Sequence, residues 1–485
     1  MLEDMAGGLG RLALDALRLL GRVALMMLPS WLGGVSVPNS HGGSEWARPR
    51  QLKALQSWPA GGGIVLGFLG RRLLQAPPED NVLVLGVQRS GKTSTIVVPT
   101  VAGWGGALVA TSTKEELVSL TARQRRSMGP VWVFAPLDED TTWLRRLGLE
   151  AATWNPVAAA TTSAEAAELA DHFTHEGKRG SSAHWYLSAA SLLTALIRCE
   201  EERAGDMRGV LRRLNKTPIS EYVDLAAAVE DDVASELLLA LGQTPDKEAG
   251  SIASTARSCL SLWVDGRVAA ATGSSRHELD LDRLLVEGGT LYLVAPAEEA
   301  ERCRPLFSAL LQRLLRKATA RARAQGGVLS PRLLLALDEA ANFTRIPRLA
   351  GYASSGPGQG IQLLLAFHDL AQVEAGYGPE EARTVWNNCR ARLLLPGQGD
   401  LPTLERFSRA IGNETRIYRS WHLDRGHTGI AEQRNGHSLV SVDELRRLTC
   451  GLLLYANAPP ARVELRRWDQ VRPWRVLIEP EPGTK

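Results

Sequence analysis

The chain contains few of the residue patterns that mark exported or disulfide-bonded proteins. Its five cysteines are scattered and odd in number, and none has the paired spacing of a metal site. We therefore expect buried thiols in a reducing compartment. A signal-peptide layout is also missing, because Glu3 and Asp4 come first and Asp15 interrupts the apolar region. Export is not expected.

A long hydrophobic run is missing as well. A transmembrane helix needs about 20 predominantly apolar residues, whereas three charged residues interrupt the segment from Leu12 to Val37. Its cleaner part, from Val23 to Val37, has 15 residues and contains a proline and two glycines. We expect residues 1–60 to form an N-terminal amphipathic or membrane-associated segment, and we favour an interfacial or docked helix over a poor transmembrane span.

Neither sign of charge dominates. The net charge of +3 is small for 485 residues, so charge alone does not identify a nucleic-acid-binding protein, and any basic surface must be local. Lysine is scarce, since eight of the 56 basic residues are lysines and the other 48 are arginines. Because 44% of the side chains are apolar, the chain can bury a large core, and its length predicts two or three lobes.

What the chain does contain is a complete phosphate-binding loop directly after the apolar run Val82 to Leu85. The loop consists of Gly86, Val87, Gln88, Arg89, Ser90, Gly91, Lys92 and Thr93, and Ser94 follows it. Its glycines let the backbone curl so that N–H groups point at the β-phosphate of a nucleotide. Lys92 would reach the β- and γ-phosphates, and the Thr93 hydroxyl would bind Mg²⁺. The sequence therefore predicts binding of ATP and Mg²⁺ by residues 86–94.

An acidic pair supplies the second half of the predicted site. Asp338 and Glu339 follow the apolar run Leu333 to Leu337, about 245 residues after Thr93. In a P-loop ATPase the first carboxylate holds the metal shell, and the second orients and deprotonates the attacking water. We assign Asp338 to the metal and Glu339 to general-base catalysis. The alternative is a solvated pair that begins the next helix, since acids favour helix N-termini.

A histidine ends the next apolar run. In motor ATPases a polar residue at the end of the strand beside the acidic one can contact the γ-phosphate and report hydrolysis. His368 occupies that place after Gln362 to Phe367, and we assign it a catalytic role with Lys92 and Glu339. A helix-capping or core histidine remains open as an alternative.

From residue 64 onward, short apolar runs alternate with longer helical patterns, which predicts an α/β fold with a parallel-rich sheet. Continuous apolar runs are typical of strands that are buried on both faces. The predicted strands are Val82 to Leu85, Ala107 to Ala110, Val131 to Phe134, Leu291 to Val294, Leu333 to Leu337, Gln362 to Phe367 and Arg392 to Leu395.

Between Thr162 and Arg276 helical patterns replace the strands. They include Trp185 to Arg198, Ile219 to Val229 and Ser251 to Val264, and a further strong helix runs from Leu306 to Ala324. We predict an all-α domain at 162–276, inserted between two parts of the nucleotide-binding domain at 61–161 and 277–485.

Short motifs in their order resemble the coupling-protein ATPases of type IV secretion and conjugation, the TraG/TraD-like group. Each motif is weak alone, but the ordered set is specific and covers about residues 64–457. Besides the phosphate loop and the acidic pair, the set includes Val97–Thr100, Ser112–Leu117, Gly129–Phe134, Trp154–Pro156, Leu291–Pro296, Ala340–Asn342, Gly360–Gln362, Asp369–Gln372, Tyr377–Gly378 and Trp386–Asn388.

The resemblance implies a membrane-associated, RecA-like P-loop ATPase that assembles as a hexamer at the cytoplasmic face of the cell membrane. Such a motor drives DNA, usually single-stranded and linked to a relaxase, toward the components of a secretion channel. The all-α domain would select cargo. Our leading hypothesis is an ATP-driven DNA-translocating coupling protein. The alternatives are a nucleotide-binding docking receptor with little motor activity and an FtsK/HerA-like motor on duplex DNA.

Three positions depart from the family pattern. Ser112 stands where the family often has Asp, and His368 stands where it usually has Gln. The run around Gly356 and Pro357 has no arginine, which many members carry there. The last two departures motivate the docking-receptor alternative, because they affect sensing and cleavage of the γ-phosphate.

Four basic clusters are candidates for contact with a DNA backbone, which is held electrostatically and without sequence preference. Solvated helix faces explain most such clusters, and packing of a terminal strand is the more common role for the two tryptophan rings. The clusters are Arg123–Arg126; Arg313, Arg316, Lys317, Arg321 and Arg323; the predicted loop Arg416–Arg419; and Arg466–Trp468 with Arg472–Arg475.

Overall fold

The computed structural model describes residues 42–56, 62–178, 183–218, 221–424 and 427–479. The predicted N-terminal amphipathic helix lies outside these ranges. Within them, no helix is both long enough and apolar enough to cross a membrane.

A nine-stranded sheet forms the centre of the described protein, in the order β13-β12-β9-β3-β8-β7-β4-β6-β5. The strands from β9 to β5 are all parallel, while β12 and β13 are antiparallel and complete one edge. Two separate hairpins, β1/β2 and β10/β11, accompany the sheet. The strands are β1 Ile64–Leu69, β2 Arg72–Ala76, β3 Val82–Leu85, β4 Ala107–Ser112, β5 Val131–Phe134, β6 Thr290–Val294, β7 Leu333–Leu337, β8 Ile361–Phe367, β9 Ala391–Leu394, β10 Asn413–Asp424, β11 His427–Ser438, β12 Gly451–Tyr455 and β13 Ala461–Val463.

The parallel strands are buried on both faces. Leu83 and Leu85 of β3 pack into one hydrophobic cluster, and Val82 and Val84 pack into the other on the opposite side of the sheet. A strand in this position needs apolar side chains at every residue, which explains the continuous runs in the sequence. The seven predicted strands are the seven parallel strands, so the predicted α/β fold with a parallel-rich sheet is confirmed.

Helices cover the sheet and fill the long connection between β5 and β6. They are α1 Val98–Gly103, α2 Glu116–Arg126, α3 Thr142–Arg146, α4 Ser163–Thr174, α5 Ala183–Glu201, α6 Met207–Lys216, α7 Tyr222–Ala228, α8 Asp232–Gly242, α9 Asp246–Cys259, α10 Gly266–Ala271, α11 Leu281–Val286, α12 Ala297–Ala324, α13 Ala340–Phe343, α14 Leu349–Ser355, α15 Leu370–Tyr377, α16 Pro379–Asn388, α17 Leu401–Ile411, α18 Val442–Arg446 and α19 Arg472–Ile478. Helix α12 ends before Gly326 and Gly327 as predicted, but it begins at Ala297, well before Leu306, and continues through Pro305.

The connection between β5 and β6 is helical from α4 to α10, and its described residues between 163 and 276 contain no strand. The chain enters and leaves this helical insertion at one place. The Thr153 N–H donates to the His277 carbonyl at 3.1 Å, and the Leu279 N–H donates to the Thr153 carbonyl at 2.8 Å. The two ends of the insertion are therefore tied together by main-chain hydrogen bonds.

The sheet and the helical insertion belong to one compact unit made of residues 44–412 and 438–485. Hairpin β10/β11 belongs to a second unit, in which Gly43 forms a backbone bridge with Glu414. The prediction of a loop at Arg416–Arg419 is wrong, because these residues lie in β10. Sequence reasoning missed the hairpin because its strands are mostly polar, and in β10 the alternating apolar residues Ile417, Trp421 and Leu423 are interrupted by Arg419.

All five cysteines are free. Cys199, Cys303 and Cys389 are buried, whereas Cys259 and Cys450 are partly exposed. The prediction of buried thiols is therefore correct for three of the five and wrong for the other two.

Candidate nucleotide-binding site

The phosphate loop, the acidic pair and His368 meet at one edge of the sheet. Strand β8 lies between β3 and β7 and is parallel to both. Because carboxyl ends of parallel strands share an edge, the segments that follow β3, β8 and β7 are neighbours. The structure thereby brings together Gly86–Thr93, His368 and Asp338–Glu339, which are far apart in the sequence.

The phosphate loop has the tight backbone that its glycines predict. Arg89 and Gly91 adopt the left-handed conformation, with φ of 62° and 90°. A side chain at Gly86 would place its Cβ 2.7 Å from Ser90 Oγ and 2.8 Å from the Leu395 side chain, so only glycine fits there. The loop continues into a π-helical turn, Thr93–Val97, which leads directly into α1.

Lys92 is 6% exposed and lies close to the acidic pair. Its Nζ donates to the carbonyl oxygen of Gly86 and, at 3.3 Å, to that of Val87. Burial lowers the pKa of Lys92, while Asp338 and Glu339 oppose that change by attracting the charged ammonium. A buried cation next to two carboxylates suits a site that receives phosphate and a metal ion.

Thr93 and Asp338 are joined directly. The Thr93 hydroxyl donates to Asp338 Oδ2 at 2.5 Å, and the Asp338 carbonyl accepts from Thr111 Oγ1 at 2.6 Å. Asp338 is 7% exposed, and burial raises its pKa while Thr93 and Lys92 lower it. Adjacent hydroxyl and carboxylate oxygens are the ligand types that Mg²⁺ prefers, so the residues fit the predicted metal.

Glu339 adopts an unusual backbone conformation at the end of β7. Its φ of 51° and ψ of 45° are left-handed, which is uncommon for a residue with a side chain and is concentrated at functional sites. Its N–H donates to Asp338 Oδ1 at 3.1 Å, and its Oε2 accepts from Asn342 Nδ2 at 3.4 Å. The carboxylate is partly buried and has one weak side-chain donor.

His368 is held through its backbone and not through its ring. Its N–H donates to Gln372 Oε1 at 2.9 Å, and its carbonyl accepts from Gln398 Nε2 at 2.7 Å. The ring Nε2 is buried and makes no hydrogen bond within the described part of the chain. Burial, followed by the charge of Lys92, lowers the pKa of His368, which favours the neutral imidazole. Asp369, not His368, caps α15, which removes the helix-capping alternative.

Sequence reasoning missed the glutamine that holds His368. Gln398 lies in a Pro-Gly-Gln-Gly turn after β9, and nothing local in that turn indicates a partner 30 residues away. The departure at Ser112 has a local explanation. Its hydroxyl accepts from the Lys114 N–H at 3.2 Å and donates to the Lys114 carbonyl at 2.7 Å, so the serine closes a turn after β4.

The sequence model of the family described as "Type IV secretory system Conjugative DNA transfer" matches residues 45–468. The chain belongs to this family. The resemblance that the ordered motifs predicted is therefore confirmed.

Individual relatives agree with this assignment. The conjugal transfer protein TraG of Escherichia coli is 26% identical over 427 residues, which cover 78% of this chain and 65% of TraG. Protein VirD4 of Rhizobium radiobacter is 23% identical over 465 residues, which cover 92% of this chain and 66% of VirD4. The chain spans slightly less than two thirds of the length of these relatives.

Solved structures of the bacterial conjugative coupling protein TrwB share the fold. One, in complex with sulphate, has a TM-score of 0.65 and 19% identity, and the match covers 89% of this chain and 96% of the TrwB chain. Another, in complex with ADP and Mg²⁺, also has a TM-score of 0.65 and 19% identity, covering 90% and 96%. The predicted fold class, a parallel-rich α/β sheet, is therefore confirmed.

Most of the basic residues proposed for DNA contact have other partners. The prediction is wrong for Arg125, which is 0% exposed and donates to Thr290 Oγ1 and the Gly106 carbonyl, both at 2.7 Å. Trp474 packs against Phe68 as expected, but it lies in helix α19 and not in the predicted terminal strand. Seven of the other thirteen basic residues in these clusters form ion pairs with carboxylates. The pairs are Arg313–Glu165, Arg316–Glu168, Lys317–Asp282, Arg416–Glu414, Arg466–Glu464, Arg467–Asp469 and Arg475–Glu479.

Proposed function

We propose that this protein is an ATP-driven, DNA-translocating coupling protein of a conjugative type IV secretion system. The observation that supports the ATPase most directly is the 2.5 Å hydrogen bond between Thr93 and Asp338, which joins the two predicted metal ligands. Membership of the conjugative DNA transfer family supports the role in DNA transport.

In the proposed reaction each polar group has one task. Mg²⁺ bound by Thr93 and Asp338 would neutralise charge on the β- and γ-phosphates. Residues 86–94 cradle the phosphates. Lys92 gives up its hydrogen bonds to the Gly86 and Val87 carbonyls and binds the phosphates instead. Glu339 accepts a proton from the attacking water. His368 donates from its ring to a γ-phosphate oxygen, which would satisfy its buried Nε2.

The partners and the location form part of the same proposal. We infer a hexamer at the cytoplasmic face of the cell membrane that receives single-stranded, relaxase-linked DNA and passes it to the channel components. The helical insertion within residues 162–276 would dock the relaxase. TrwB, which shares the fold, has been solved with ADP and Mg²⁺ and with a non-hydrolysable ATP analogue, which supports the choice of cofactors.

The enzymatic claim is tested by DNA-stimulated ATP hydrolysis of the purified chain. We expect Lys92→Ala to lose nucleotide binding and Glu339→Gln to keep binding but lose turnover, by about 10²-fold or more, because a general base contributes 10²–10⁴-fold. Equal activity of the wild type and both variants would exclude hydrolysis at this site.

The docking-receptor alternative retains support from two features. His368 replaces the usual glutamine, and the turn Pro357–Gln359 carries no arginine. Tight ATP binding with negligible turnover, even with DNA and partners present, would favour that alternative. Stronger stimulation by double-stranded than by single-stranded DNA would instead favour a duplex motor.

A further inference from the structure

His368 lies between the phosphate loop and the acidic pair, but no hydrogen bond from its ring to another described residue fixes it there. Its ring Nε2 is buried without a partner in the described ranges, and both of its main-chain groups are bound by glutamine side chains. The position of the imidazole therefore depends on the residues that hold its backbone.

Gln398 is the more constrained of the two glutamines. It is 2% exposed and uses both ends of its amide. Its Nε2 donates to the His368 carbonyl at 2.7 Å, and its Oε1 accepts from the N–H groups of Gly399 at 2.9 Å and Asp400 at 3.0 Å. A buried amide with three hydrogen bonds has one orientation, because turning it would leave polar groups unpaired.

The same glutamine connects His368 to the start of α17. Asp400 caps that helix by accepting from the Thr403 N–H at 2.9 Å. Thr403 Oγ1 in turn accepts from the N–H of Leu370, two residues after His368, at 3.0 Å. Two hydrogen bonds thus join the segment after β8 to the start of α17, one through Gln398 just before the helix and one through Thr403 in its first turn.

The segment that carries Gln398 also lies against the phosphate loop. The Leu395 side chain closes over Gly86, and Gly397, with a left-handed φ of 87°, lies against Val87. One short stretch, residues 395–400, therefore contacts the phosphate loop at its start and the His368 carbonyl at its end.

We propose that Gln398 is a positioning residue that sets His368 against the γ-phosphate and couples γ-phosphate contact to the N-terminus of α17. The inference rests on the proposed function of the nucleotide site. It assigns no chemical step to Gln398, which acts only through the backbone of His368.

The test is the preference of the full chain for a non-hydrolysable ATP analogue over ADP, measured as a ratio of Kd values in Mg²⁺. Gln398→Met keeps the length of the side chain and removes its hydrogen bonds. We expect the preference of this variant for the ATP analogue over ADP to fall about three- to tenfold, which corresponds to the free energy of one hydrogen bond. Its affinity for ADP should stay within about twofold of that of the wild type. Gln243→Met, the same change at an exposed glutamine in the helical insertion, should leave the ratio unchanged.

A double variant separates positioning from general loosening. In a His368→Ala background, Gln398→Met should have little further effect on the ratio, because both changes remove the same γ-phosphate contact. The inference would be overturned if Gln398→Met left the ratio of Kd values unchanged. It would also be overturned if Gln398→Met reduced the ratio equally in the wild-type and His368→Ala backgrounds. A wild type that binds neither nucleotide would instead overturn the proposed function.

Discussion

His172, on α4, is buried, and its burial lowers the pKa of the imidazole to about 4. Asp171 raises this pKa, and His175 and Arg316 lower it, but burial outweighs all three. In the unfolded chain the pKa is near 6.5, so the unfolded chain takes up a proton first as the pH falls. Stability is therefore complete above the unfolded pKa and is lost progressively between pH 6.5 and 4.

We expect His172→Gln to reduce this acid sensitivity. Between pH 7 and pH 5 the wild type should lose about 2 kcal/mol more of its free energy of unfolding than the variant, since one pKa unit corresponds to about 1.4 kcal/mol. Urea unfolding at the two pH values measures the difference. His184→Gln, at an exposed position, is the control, and an equal loss in wild type and His172→Gln would contradict the argument.

At the residue scale, the sequence predicted groups whose role follows from a local pattern. The loop from Gly86 to Thr93 and the pair Asp338–Glu339 have spacings that phosphate and metal binding require, and the structure brings them together. Arg125 and Gln398 could not be predicted in the same way. Arg125 donates to Thr290 and Gln398 donates to His368, and both partners are distant in the sequence, so the local sequence does not distinguish these buried side chains from solvated ones.

At the scale of elements, ion pairs join the helical insertion to α12. Arg313 pairs with Glu165 of α4, and both side chains are only about one-fifth exposed. Glu165 Oε2 also accepts from the Thr161 N–H and hydroxyl, both at 3.0 Å. The carboxylate therefore joins the start of α4 to the middle of α12.

We expect Arg313→Ala to cost roughly 1–3 kcal/mol of unfolding free energy, because it leaves the mostly buried Glu165 carboxylate without its cation. Arg323→Ala, near the exposed end of the same helix, should change stability by less than about 0.5 kcal/mol. Chemical denaturation compares the two, and Glu165→Gln should lessen the cost of Arg313→Ala. Equal costs for the two arginine variants would show that the ion pair is unimportant.

The predictability of the elements followed their burial. Strands β3 to β9 in the parallel part of the sheet have apolar residues at nearly every position, so each was found from sequence alone. Strand β12, Gly451–Tyr455, carries the same signal and was overlooked. Strand β13 has three residues, and hairpin β10/β11 is polar. Only their pairing partners define them, and pairing is a property of the fold.

At the scale of the whole molecule, nucleotide binding should stabilise the protein through mass action. ATP at 100 times its Kd should add about 2.7 kcal/mol to the unfolding free energy. Removing Mg²⁺ with EDTA should abolish most of this gain, because Thr93 and Asp338 are proposed to hold the metal.

Thermal unfolding with ATP, with and without Mg²⁺, measures this linkage. Asp338→Asn should lose the Mg²⁺-dependent part of the stabilisation, whereas Asp282→Asn, at an acid paired with Lys317 away from the site, should retain it. A full Mg²⁺-dependent gain in Asp338→Asn would assign the metal to other ligands.

The hydrogen bonds between Thr153 and residues 277–279 affect how this protein can evolve. Because main-chain hydrogen bonds close the base of the helical insertion, the strands on either side, β5 and β6, keep their pairing whatever lies beyond that base. The two chain ends of the insertion are therefore held in a fixed position beside the sheet. Under the proposed function, replacement of the insertion would change cargo recognition and leave the proposed ATP-binding edge of the sheet untouched.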